Sequence, residues 1–361
     1  MPITEVQLYR YRLPLTAPLQ LKGETVSARA GVLVAIKDES GACGWGDVAP
    51  LPGFSAETLA EATDRLEAWA RTCAGRPVPE TWAEVDRLEG APASVRFGVE
   101  LAWADLMATR RGVMLPDIWT GDSRSEVALN ALLTGPADDV LAEAERLVAE
   151  GYRAAKLKVG RRELPTEIEL VRALTERHGA DLRLRLDANR AWSLYEARRF
   201  VAGIDPSTID YLEEPLADPS DLPALADAGC SVALDETMRD LSVGELDQHR
   251  YASAVVLKPS LVGGLAHTLR VARRATELGM TPVVSAAYES GIGLRGLVAL
   301  AASFPGDVPA GLDTYRRFQS DVVASRLPLS EPAIDVADLM RACIRLNPDT
   351  VEPLDSFASD S

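Results

Sequence analysis

Residues Ala154–Gly160 read AAKLKVG, a short apolar run that carries two lysines two positions apart and stops at a glycine. Side chains alternate faces along a strand, so Lys156 and Lys158 point the same way. Two neighbouring ammonium groups repel and shift each other's titration. Such a pair on a core strand implies anionic chemistry to serve. Four later runs supply it: RLRLDAN places Asp187 near its end, YLEEPL places Glu213, SVALDET places Asp235 and AVVLKPS places Lys258. From Lys158 onward these residues stand 29, 26, 22 and 23 positions apart. One strand, one helix and two loops fill about that length in a β/α barrel of roughly 250 residues. Each charged residue then lies at the C-terminal end of its strand, the face on which such barrels carry their active sites.

Three carboxylates between lysines on that face read as a divalent-metal site flanked by acid/base groups. Asp187, Glu213 and Asp235 offer only hard oxygen donors, which favours Mg²⁺ over Zn²⁺, with Mn²⁺ as a substitute. Lys158 is nearest its strand end and is the expected base, Lys156 supports the negative charge, and Lys258 faces the substrate from across the barrel. One such residue alone reads as a surface ion pair. Six at barrel spacing do not.

Around this centre the 361 residues divide into an α+β capping domain (1–120), a (β/α) barrel (121–315) and a C-terminal segment (316–361) packing back towards the cap. The fold class is therefore α/β, a modified TIM barrel with an N-terminal cap. In the cap, Ile3–Leu15 alternates as a strand, 31–37 and 43–50 follow as a hairpin, and Thr16–Arg29 reads as a polar loop. A helix is expected from about Phe54 with Ser55 as N-cap, and a second over Ala93–Arg111. In the barrel, residues 127–133 make the first strand, 281–290 the seventh and 308–314 the eighth. Ser356–Ser361 reads as disordered.

The net charge of −16 argues against nucleic acid and anionic membranes as partners. No apolar run approaches about 18 residues, and the N-terminus lacks the order of a signal peptide. A cytoplasmic enzyme with a small-molecule carboxylate substrate is expected. The four cysteines (Cys43, Cys73, Cys230, Cys343) form no CxxC and read as buried reduced thiols rather than a zinc site. The reading leaves an oligomer open.

The segments KLK (156–158), LDAN (186–189), LEEP (212–215), LDET (234–237) and LKPS (257–260), in this order, resemble the muconate-lactonizing subgroup of the enolase superfamily. GWGDVAPLPGFSAET (44–58), ASVRFGVELA (93–102), SAAYESGIGL (285–294) and AGLDT (310–314) are most similar to its o-succinylbenzoate synthase family. The resemblance implies an Mg²⁺-dependent syn-dehydration of a cyclohexadiene carboxylate in menaquinone synthesis. It implies substrate contacts at Arg185, Ser285 and Gly311. Gly311 stands where dipeptide epimerases carry an aspartate, which points away from an amino-acid substrate. Tyr288 stands where a serine-rich run is typical. N-succinylamino-acid racemisation, or another racemase or cycloisomerase reaction of the subgroup, is the alternative; a non-catalytic barrel would not keep these lysines and carboxylates.

Overall fold

The computed structural model describes residues 1–21, 24–85, 88–239, 241–329 and 331–358. The chain opens with a long antiparallel pair, β1 (Ile3–Leu21) and β2 (Glu24–Asp38), to which β3 (Cys43–Val48) adds. Tyr11, Leu13 and Leu15 are buried and their neighbours exposed, the period-2 pattern of a half-buried sheet. Where the structure describes the loop expected over Thr16–Arg29, it is strand instead, with Leu19, Gln20 and Leu21 opposite Val26, Thr25 and Glu24; residues 22–23 of that loop lie outside the described set. Backbone pairing overrides polar composition there. The ladder slips between Pro14 and Leu19, a stretch containing two prolines that lack the N–H a ladder needs.

Helix α1 (Leu59–Cys73) starts later than expected. Ser55 Oγ accepts from Leu51 N at 2.9 Å and is held in a turn, while Thr58 and Glu61 form a reciprocal capping box. Helix α2 (Ala93–Arg111) lies across the sheet as expected. Its approach needs glycine on both sides: a Cβ on Gly46 would stand 1.8 Å from Gly98 O.

The barrel follows as β4 (Glu126–Ala128), β5 (Asn130–Leu133), α3 (Ala137–Ala149), β6 (Ala154–Lys158), α4 (Leu164–His178), β7 (Arg183–Asp187), α5 (Leu194–Gly203), β8 (Ile209–Glu213), α6 (Leu222–Ala226), β9 (Val232–Leu234), β10 (Ala254–Leu257), α7 (Pro259–Val262), α8 (Gly264–Glu277), β11 (Thr281–Val284) and α9 (Gly291–Ala302). Strands β5 to β11 form one parallel sheet in sequential order. It closes through two residues. Gly311 N donates to Val284 O and Ala310 N to Ala128 O, both within 3 Å. The eighth strand expected over 308–314 is therefore reduced to two isolated bridges, Leu129 with Ala310 and Ser285 with Gly311, and Asp313–Arg317 turns into a 3₁₀ helix. The first strand expected over 127–133 is split, because β4 pairs antiparallel with β12 (Ala333–Asp335) outside the barrel. The seventh ends at Val284, and the chain then turns through Tyr288, whose φ is +63°.

After α10 (Val336–Arg341), strand β13 (Val351–Ala358) returns to the cap and pairs with β1, Ser356, Phe357 and Ala358 lying opposite Gln7, Val6 and Glu5. The disorder expected from Ser356 is thus wrong for Ser356–Ala358: a polar edge strand looks like a tail until its partner, far away in sequence, is known. Residues 359–361 lie outside the described set. Cap and barrel share one continuous apolar core. Buried Asp47 accepts from Tyr11 Oη, Ser290 N and Ser290 Oγ, each at 2.8 Å. Buried Arg29 donates to the carbonyls of Ala49, Pro50 and Tyr288. Among the described residues no helix is long and apolar enough to cross a membrane.

Candidate active site

Strands β6, β7 and β8 run in register so that Lys158, Asp187 and Glu213 stand side by side at the top of the sheet. One step back on β6, Lys156 points into the same space. Its Nζ lies 2.8 Å from both Asp187 Oδ2 and Glu213 Oε1. Burial alone would pull its pKa down, but the adjoining carboxylates outweigh it and hold the ammonium well above its ordinary value. Lys258, N-terminal to α7, pairs with Asp235 and is also raised, burial again being outweighed. Lys158 differs. Its nearest partner is the neutral Asn189 Oδ1 at 2.7 Å, with Asp187 Oδ2 at 3.8 Å. Burial, helped by the Lys156 charge, pulls its pKa down.

The carboxylates respond in kind. Burial and the charge of Asp187 push Glu213 up to about 8. Asp187 and Asp235 resist the same burial because Lys156 and Lys258 respectively stand beside them, and both are lowered, Asp235 to about 2. Among the described residues no three carboxylates converge on a common point as they stand, since the lysine ammonium groups occupy the space between them. The donor set nonetheless fits a hard cation. Glu213 Oε2 is buried with no hydrogen-bond partner, and three carboxyl groups with hard oxygen donors are gathered in a low-dielectric site.

These groups surround a cavity of about 170 Å³ at the C-terminal face of the barrel. Lys156, Lys158, Lys258, Asp187 and Asp235 line it, as do Ser285 and Gly311. Ser285 Oγ donates to Gly311 O at 3.3 Å, and a Cβ on Gly311 would meet Ser285 Oγ at 2.8 Å. Leu21, Leu51 and Phe54 of the cap form an apolar wall with Leu261, Ala287 and Tyr288.

Arg185 is not at this site. It lies deeper in the barrel, buried, with Nε on Asp210 at 3.0 Å and Nη1 on Pro309 O at 2.7 Å, and its guanidinium stacks over Tyr211. It faces a separate hollow of about 380 Å³ at the N-terminal ends of the strands, together with Arg153 and Arg183. The expectation of a substrate contact fails because two residues along a strand from Asp187 keeps the same face but drops one layer.

Sequence reasoning also passed over residues that hold the site. Glu214 accepts from Asp235 N, Thr237 N and Arg190 Nε, all within 3.0 Å, and so fixes the turn after β9. Asn189 orients Lys158 and donates its own N–H to Asp187 Oδ1. Asn189, Arg190, Glu214 and Tyr288 all have positive φ, four of five such non-glycine residues among those described. Strained backbone concentrates where a scaffold over-determines a site. An asparagine two positions after a strand-end aspartate is the one local signal for it.

Residues 139–340 match the family described as enolase C-terminal domain-like, and residues 3–106 match the MenC N-terminal domain. The o-succinylbenzoate synthase of Yersinia pseudotuberculosis is 36% identical over 332 residues, spanning 89% of this chain and 95% of that one. The o-succinylbenzoate synthase of Proteus mirabilis is 32% identical, spanning 91% and 94%. A magnesium complex of an enolase-superfamily member from Roseovarius nubinhibens superposes with a TM-score of 0.85 at 20% identity, covering 99% of this chain and all of the other.

Proposed function

The chain belongs to the o-succinylbenzoate synthase family of the enolase superfamily, and from that premise we propose the division of labour by which its own residues carry out the dehydration. The reaction is a carbon–oxygen lyase step of menaquinone biosynthesis that forms o-succinylbenzoate. Its substrate is 2-succinyl-6-hydroxy-2,4-cyclohexadiene-1-carboxylate. Mg²⁺, or Mn²⁺ in its place, would be held by Asp187, Glu213 and Asp235 and would supply positive charge to the ring carboxylate while the adjacent carbon loses its proton.

The observation that carries this reading is the asymmetry of the three lysines. Lys156 and Lys258 are locked as ammonium by carboxylates, whereas Lys158 alone has a lowered pKa and a neutral partner. Lys158 therefore takes the α-proton as base. Lys156 adds fixed positive charge beside the carboxylate. The proton on Lys158 is then delivered to the departing hydroxyl on the same face, which makes the elimination syn. Lys258 remains protonated on the opposite side and stabilises the flat, electron-rich ring by charge and cation–π contact. Ser285 and Gly311 border the side chain of the substrate. The wall of Leu21, Leu51, Phe54 and Tyr288 keeps water from the reacting carbon. The free cysteines suit a reducing compartment, and we place the reaction in the cytoplasm.

The test is conversion of the diene followed by ultraviolet absorbance. Aromatic product should form with Mg²⁺, stop with a chelator and resume on adding metal back. No conversion with Mg²⁺ present would end this reading and turn attention to racemisation of N-succinyl amino acids.

A further inference from the structure

One cation in the active-site cavity has no task in the mechanism above. Arg317 lines the same space as Lys158, Lys258, Ser285 and Tyr288. It closes the 3₁₀ turn Asp313–Arg317, which follows the two bridges that seal the barrel. Its neighbour Arg316 faces the other way, paired with Asp313 and Glu331 and donating to Tyr152 Oη at 2.6 Å. Arg317 makes no hydrogen bond and no ion pair among the described residues. Two adjacent arginines on one short turn thus have opposite fates, one consumed by the scaffold and one held open over the cavity.

The turn that carries Arg317 is rigidly placed. Phe318 bridges Leu15 of β1, Gln319 N donates to Pro14 O at 2.9 Å, and Gln319 Nε2 donates to Leu15 O at 2.8 Å. Arg317 is therefore held at the seam between cap and barrel and shares the cavity lining with the apolar residues Leu51, Leu261 and Ala287. Its charge reaches Asp313, but that carboxylate is already paired with Arg316, so the half-buried guanidinium is left to be completed by an anion from outside.

Resting on the reaction proposed above, the substrate has such an anion to offer. It carries two carboxylates, one on the ring and one at the end of a four-carbon side chain. Lys156, with the metal that Asp187, Glu213 and Asp235 would hold, serves the first. We propose that Arg317 is the specificity-determining residue for the second, taking the side-chain carboxylate in a paired, charge-assisted contact while the wall beside it packs the intervening methylenes. Arg317 then sets which side chains the cavity accepts and takes no part in proton transfer.

The experiment compares wild type with Arg317→Gln and Arg317→Lys. Two quantities are measured: diene turnover, and calorimetric affinity for o-succinylbenzoate and for its analogue with the side-chain acid converted to the primary amide. Wild type should prefer the acid over the amide by roughly tenfold to a hundredfold, the scale of one hydrogen-bonded charge. Arg317→Gln should lose that preference and raise KM by a similar factor with kcat nearly unchanged, and Arg317→Lys should recover part of both. Retention of the acid-over-amide preference in Arg317→Gln, with wild type turning the diene over, overturns the role of Arg317 alone. A wild type that neither converts the diene nor binds the product overturns this inference together with the reaction. Because Arg317 supports no other side chain, a melting temperature equal to that of wild type is expected for both variants.

Discussion

Lys156 and Lys158 show how far two residues of one type can be driven apart by their neighbours. They leave the same face of β6 two positions apart, yet one faces Asp187 and Glu213 and the other an amide. Replacing Lys158 by Ala should lower kcat by roughly 10²–10⁴, the usual contribution of a positioned acid/base group, with circular dichroism unchanged. Activity within tenfold of wild type would remove Lys158 from the role of base. Asp313 gives a test by pH. Burial outweighs the nearby Arg316 and pushes its carboxyl up to about 6. A folded-state pKa above the unfolded one means the group adds stability below about 4, and this is lost as pH rises through about 6. Asp313→Asn should therefore unfold at higher urea than wild type at pH 8 and coincide with it below pH 4. An equal midpoint at pH 8 would show that the Arg316 pairing dominates instead.

At the scale of elements, the site depends on close approaches that leave no room for a side chain. The contact of β3 with α2 is the tightest. A Cβ on Gly46 would meet Gly98 O at 1.8 Å and one on Gly44 would meet Ala102 O at 2.2 Å. Both obstacles are backbone, so no rotamer change relieves them. Gly46→Ala should cost about 3 kcal/mol or more in urea unfolding, the upper range for overpacking. A loss below about 1 kcal/mol would mean that α2 can slide on the sheet. The barrel strands themselves are short, β9 being only Val232–Leu234, and register carries the chemistry. The ladder pairs Lys158 with Asp187 and Asp187 with Glu213, and a slip by one residue would turn every one of them out of the barrel.

At the scale of the molecule, cap and barrel meet through a few buried polar groups. Arg29 is only 2% exposed and ties Ala49 and Pro50 of the cap to Tyr288 above β11. These are the loops that wall the cavity. Arg29→Met would leave three carbonyls without their donor, a loss of about 2–3 kcal/mol by the usual cost of unmet buried groups. Hydrogen exchange at residues 49–54 and 286–290 should accelerate ahead of global unfolding, and KM should rise. Exchange unchanged at both loops would show that the apolar core alone holds the cap closed. Strand β13 extends the same logic, since residues near the C-terminus complete the edge of a sheet that begins at Ile3.

What the sequence by itself determined is the barrel and its charged rim. Strand-end lysines and carboxylates at regular spacing are local signals, each lying within a few residues of an apolar run, and period and alternation place them on one face. The β1–β2 pairing, the split first strand, the two isolated bridges that close the barrel and the paired β13 were decided by contacts between residues far apart in sequence. In each case hydrogen bonds to a distant strand outweigh a polar or broken local pattern. Arg185 and Arg317 make the same point within the site. Both are arginines near barrel strand ends, and nothing in their neighbours tells them apart. The layer of the barrel each one reaches, and whether an aspartate or an open cavity awaits it there, exists only in the folded chain.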